Sequence, residues 1–216
     1  MQVTADNVLV LISGLAWPVY LALLLLSMLV TWRHEILRGE QLVALLSAAG
    51  GLTILWSLQA ETAAGTQFHF LGITVVALMF GWLVAGLVAL VPLGILAAVG
   101  QGDWLALPIN GLLSGFLPAW LTIRMQRVVS RHLPPHFYIY IFVCGFIGAM
   151  LALAATLAGG LLVLDAATRA DFGQITPFLP LLLFPEGVIN GIVLTTLLLL
   201  KPEWVWTFDQ RYRDSG

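Results

Sequence analysis

The sequence predicts an all-α, polytopic transmembrane helical bundle, and three observations predict it. Of its 216 residues, 60% are hydrophobic and only 9% are charged, against roughly 25% charged in a typical soluble domain. The few charges gather at the ends of long apolar runs. A soluble chain of this length hides only about 70% of its unfolded surface, so this much apolar surface needs lipid as its solvent. Residues 1–216 read as one integral membrane domain, ending in a short polar tail over 202–216.

About 20 apolar residues cross the hydrocarbon core as a helix, and lipid contact excludes irregular backbone. The apolar runs fall at 8–32, 41–59, 70–99, 105–123, 137–164 and 176–200. The first is too long for a signal-peptide core and lacks a small-residue cleavage pattern, so it reads as a retained span. The third would stretch about 45 Å as one helix. It is either one tilted helix or two short ones joined by a turn near Gly81–Gly86.

Short cytoplasmic links collect Lys and Arg, and this rule decides between the two forms. Arg33 and Arg38 follow the first run; Arg124, Arg127 and Arg131 follow the fourth; Lys201, Arg211 and Arg213 follow the last. All three clusters share one side only if 70–99 crosses twice. The prediction is therefore about seven membrane segments, with six as the rival, the amino terminus outside and the carboxyl terminus cytoplasmic. Gly145–Ala149, Gly148–Ala152 and Ala155–Gly159 place small residues one above the other, a pattern for close helix packing. Trp204 and Trp206 suit the membrane interface, and Cys144 in its apolar run reads as a small buried side chain.

Several polar residues lie in or beside apolar runs. His69 stands in TQFHFLG, Asn110 in LPINGLLSG, and Glu186 in FPEGVING with Asn190 one helical turn further on. With the predicted orientation, His69, Asn110 and Glu186 gather toward the outer half of the membrane. A carboxylate in lipid must face protein, a partner or water. Glu186 is either a cap in the first turn of a helix starting near Pro185 or part of a cavity. His69 is either an interfacial histidine or a ligand for a borderline transition metal. His132 and His136 flank Pro134–Pro135 in the basic link, a cytoplasmic loop that could dock a partner.

HExxH, GxSxG and the phosphate-binding loop GxxxxGK[ST] are all missing, so the chain reads as a non-enzyme with no ATPase of its own. Single-sign charge arrays for nucleic acid are missing as well.

These residues carry a resemblance. FHFLGITVVALMFGWLVAGLVAL resembles the His-x-Leu-Gly segment and glycine-broken pair of the cobalt/nickel-uptake permeases, the substrate-binding membrane subunits of energy-coupling factor importers. GQGDWLALPINGLLSG is similar to that family's Gly-Asp-Gly-Gly loop and following helix start, and FPEGVINGIVLTTLLL to its closing helix. The likeness spans roughly 65–200. It implies that His69 falls on the family's metal-binding histidine and Asn110 on its asparagine near the same pocket. With Glu186 they form the candidate metal set: His69, Asn110, Glu186. The family's amino terminus begins Met-His and continues with Pro-Asp-Gly, whereas this one begins Met1-Gln2-Val3-Thr4, so the second-position histidine and the Pro-Asp-Gly turn are both absent, and with them the family's nitrogen donors other than His69.

The resemblance implies a substrate-capture subunit in a bacterial cytoplasmic (inner) membrane, with a transition-metal ion such as cobalt or nickel as substrate. Its implied partners are a membrane coupling subunit and cytoplasmic ATPases. The alternative is a membrane accessory or assembly protein for a metalloenzyme, without transport activity, which the missing amino-terminal ligands favour.

Overall fold

The computed structural model describes residues 10–34, 36, 39–61, 67–163 and 179–208. It is an all-α bundle with one two-residue hairpin. Helices α1 (Val10–Arg33) and α2 (Gly39–Ser57) come first. Strands β1 (Ala60–Glu61) and β2 (Gln67–Phe68) then pair antiparallel. The third apolar run divides into α3 (Ile73–Phe80), α4 (Trp82–Val88) and α5 (Leu90–Ala98). Next, α6 (Leu107–Asn110), a π-helical stretch (Gly111–Phe116) and α7 (Leu117–His132) run without interruption. After the Pro134–Pro135 link come α8 (Phe137–Ile139), a second π-helical stretch (Tyr140–Ile147) and α9 (Gly148–Val163). The last long helix is α10 (Leu179–Leu200), followed by a 3₁₀ turn at Pro202–Trp204.

Among the described residues, four helices are long and apolar enough to cross a membrane: Gly14–Arg33, Gly39–Ser57, Phe137–Leu162 and Leu179–Leu200. The third run breaks where a turn was expected. Gly81 takes φ 86°, a conformation open to glycine and strained for other residues. What precedes it is unusual for a membrane protein. Helix α3 has only 8 residues, all of them buried, and is about 12 Å long. Such a helix leaves unpaired N–H groups at one end and unpaired C=O groups at the other, and the membrane interior supplies no water to satisfy them.

The carboxyl-terminal segment meets one end of that demand. Trp206 N–H donates to the Met79 carbonyl at 3.1 Å, and Thr207 N–H and Oγ1 donate to the Leu78 carbonyl at 3.3 and 2.7 Å. Residues 205–208 of the expected polar tail thus lie against the bundle, with Val205 and Phe208 buried. Trp206 stays partly exposed, as suits an interfacial ring.

The same segment gathers the basic links at one end of the bundle. The His34 ring lies 5.7 Å from that of Trp206. Lys201 Nζ is 4.0 Å from Glu40, and Gln126 Nε2 donates to the Thr207 carbonyl at 3.4 Å. Arg211 and Arg213 lie outside the described residues, as does Arg38.

One sequence expectation is corrected here. Helix α10 does not start near Pro185; it starts at Leu179 in the described chain and carries Pro185 inside it. The lost N–H would have met the Leu181 carbonyl, one turn back. Membrane helices tolerate that loss because neighbours and local adjustment absorb it.

The small-residue faces pack closely, as their spacing indicates. A Cβ on Gly145 would sit 2.7 Å from Leu194 of α10, and one on Gly187 would sit 3.0 Å from Phe146 and Met150. The tightest approach joins α4 to the first π-helical stretch, where a Cβ on Gly86 would come within 2.2 Å of the Phe116 ring. That ring is buried and held edge-on to Tyr20 at 5.9 Å and Trp82 at 6.4 Å. Gly86→Ala is therefore expected to destabilise the fold by about 1–3 kcal/mol through overpacking, read as a lower unfolding temperature in detergent. Adding Phe116→Leu should restore part of the loss, and an unchanged unfolding temperature in Gly86→Ala would count against this packing. Cys144 is buried and in no disulfide.

Candidate functional site

The site is built around four residues outside helix and strand, His69–Phe70–Leu71–Gly72, between β2 and α3. Gly72 ends the stretch at φ 62°. A Cβ there would also meet Leu55 at 2.6 Å, so both conformation and space require glycine. Helix α3 has no side-chain cap of its own at Gly72. Its first N–H groups would be orphans without help from another segment.

Helix α10 supplies that help. Glu186 Oε2 accepts from Leu71 N–H at 2.8 Å, and Oε1 accepts from Gly72 N–H at 2.9 Å. Asn190 Nδ2 donates to Glu186 Oε1 at 2.7 Å and to the Glu186 carbonyl at 2.8 Å. Asn190 Oδ1 accepts from Val75 N–H at 3.3 Å. Both side chains are fully buried. Glu186 therefore does sit at a helix N-terminus, where a carboxyl group is favoured, but the helix is α3 rather than its own. The chain after residue 185 thus satisfies α3 at both ends.

Helix α2 holds the opposite edge of the same stretch. The Trp56 indole N–H donates to the Leu71 carbonyl at 2.8 Å, so Leu71 is fixed through both its N–H and its C=O. The Trp56 ring also lies 4.7 Å from the His69 ring, tilted by 41°. His69 Nδ1 is 3.0 Å from the Phe70 carbonyl. The ring helps line a cleft of about 310 Å³ together with Gln59, Phe70, Leu153, Leu157 and Leu182. The His69 ring is buried, and an imidazole is a common ligand for borderline transition metals.

The structure brings Glu186 of α10 to the stretch that carries His69, bonding it at Leu71 and Gly72, two and three residues beyond the histidine. Asn110 is buried as well, at the end of α6, which packs chiefly on α1 and α5. The neighbours of His69 come instead from α2, α9 and α10. Among the described residues, no group of three or more His, Cys, Asp or Glu could hold a metal ion. Residues 1–9, where the family resemblance puts further ligands, lie outside the described chain.

Sequence reasoning missed Trp56 and Gln59. A tryptophan near a span end passes for an interfacial anchor, and nothing in its spacing points to a ring thirteen residues later. Gln59 Nε2 is buried and has no hydrogen-bond partner among the described residues, a signal visible only in three dimensions.

The family model described as the cobalt uptake substrate-specific transmembrane region matches residues 5–204. The chain belongs to this family. As a cobalt-uptake family member it is the membrane substrate-capture subunit of a transition-metal importer of the energy-coupling factor type. Its fold is similar to two solved structures. One is the crystal structure of a truncated transition metal transporter, with TM-score 0.79 and 16% identity over 92% of this chain and 99% of that one. The other is the crystal structure of a transition metal transporter, with TM-score 0.78 and 17% identity over the whole of both chains. No curated protein matches the chain. The cobalt-uptake family member keeps the His-x-Leu-Gly stretch intact and holds it with Trp56 and Glu186.

Proposed function

We propose that this subunit captures a cobalt or nickel ion on the outer side of a bacterial inner membrane, with His69 as a nitrogen donor. In this reading Glu186 positions the histidine and does not ligate, because both its oxygens already accept backbone N–H groups. The observation that carries the proposal is the clamped His69–Gly72 stretch, which presents a buried imidazole to a cleft in a chain of this family. A membrane coupling subunit and separate cytoplasmic ATPases supply the energy, and the His132–His136 link is the surface offered to them.

The reading includes seven membrane segments, with the amino terminus outside and the carboxyl terminus inside. The break at Gly81 supports it, and so does the gathering of Arg33–His34, Gln126 and Lys201 at one end of α3. His69 and Glu186 stand at the other end.

Element analysis of freshly purified protein tests the capture step. Stoichiometric cobalt or nickel is expected, and protein carrying no transition metal after growth with both ions would count against it. Copurification of an ATPase pair on coexpression is the matching test for the partners.

A further inference from the structure

A second polar feature lies at the opposite end of α3 from His69. On α7, Trp120, Arg124, Arg127 and Arg131 follow one another at spacings of four, three and four, which puts them on one stripe of the helix. The Arg124 guanidinium lies 5.1 Å from the centroid of the Trp120 ring. Arg124 and Arg127, with Trp82 at the start of α4, Trp120 and the buried Ile123, enclose a pocket of about 200 Å³. Among the described residues, neither arginine has a carboxylate partner; the ion pairs there join Lys201 to Glu40 and Glu203. Simple charge placement for topology explains arginines beyond a span end. It does not explain two of them closing a pocket with two indole rings.

We propose that this pocket binds the phosphodiester headgroup of an anionic phospholipid. A guanidinium offers a planar fork of donors that matches phosphate oxygens, and two of them more than offset the single negative charge of a phosphodiester. Indole rings settle at headgroup depth, with an apolar body toward the acyl chains and an N–H toward the polar layer. Basic pockets between membrane helices on the cytoplasmic side suit anionic headgroups. The bilayer is the source because the surface around the arginines is apolar and open: Trp120 is 40% and Val128 58% exposed. A soluble phosphate would leave that surface unused. The inference is independent of the metal ion captured at the other end.

The test uses the full chain, delipidated in a neutral detergent and titrated with phosphatidylglycerol, with phosphatidylcholine, or with inorganic phosphate. Native mass spectrometry reads retained lipid, and thermal unfolding reads stabilisation. Wild type is expected to retain phosphatidylglycerol and to gain stability from it. Arg124→Gln with Arg127→Gln should lose both effects while unfolding normally in phosphatidylcholine. Arg131→Gln, on the same stripe but outside the pocket, should keep both. If the Gln pair does not fold, Arg124→Lys with Arg127→Lys keeps the charge and removes the fork, and retention should then fall partway. Four results overturn the proposal: full retention in the pocket variants, equal loss in Arg131→Gln, an equal shift from inorganic phosphate, or loss of a copurifying coupling subunit with the lipid effect intact.

Discussion

Glu186→Ala is expected to lower the unfolding temperature and the bound metal together. The substitution removes both acceptors for Leu71 and Gly72 N–H, and Asn190 loses one of its acceptors. The Leu71 donor is buried and the Gly72 donor partly buried, at the start of a helix. Each orphaned donor costs about 1–3 kcal/mol, so the total is roughly 2–6 kcal/mol. The loss reaches the site because the same two N–H groups fix the strand that carries His69. Glu186→Gln keeps one carbonyl acceptor and should fall between wild type and alanine. The check is thermal unfolding in detergent beside element analysis on the same samples. If metal disappears while the unfolding temperature holds, Glu186 acts on the ion directly and the positioning role is wrong.

His69→Ala should give the opposite pattern. Its ring contributes a tilted contact with Trp56 at 4.7 Å, and an aromatic contact of this kind is worth about 0.5–1.5 kcal/mol. The expected drop in stability is therefore small. Metal affinity should fall by more than the roughly 10–100-fold that follows loss of an outer-shell partner, because a donor nitrogen itself is removed. Isothermal titration with cobalt and nickel salts, together with metal content after purification, reads this directly. A variant that retains the wild-type metal content would remove His69 from the site. Trp56→Phe separates the two roles: it keeps a ring against His69 but loses the indole N–H to Leu71, so it should resemble a mild Glu186 variant.

Several particular residues show how much of this was legible beforehand. The six apolar runs correspond to the helices seen, and the overlong third run breaks at Gly81, within the Gly81–Gly86 stretch where a turn was one of the two expected forms. Gly145 makes the close contact that its small-residue spacing suggests. Glu186 and Asn190 were readable as one helical face, since a spacing of four fixes that locally. Pro185 misled, because a proline that ends a helix in water is tolerated within a membrane bundle.

The sequence by itself determined the solvent, the helical class and the shared face of Glu186 and Asn190, all of which follow from local composition and period. Only the tertiary structure decided which helix Glu186 caps, that Trp56 grips Leu71, and that Trp206 and Thr207 close the far end of α3. The physical reason is that a short buried helix must find its hydrogen-bond partners elsewhere in the chain. A donor and an acceptor separated by more than a hundred residues leave no periodic trace in the order of the amino acids.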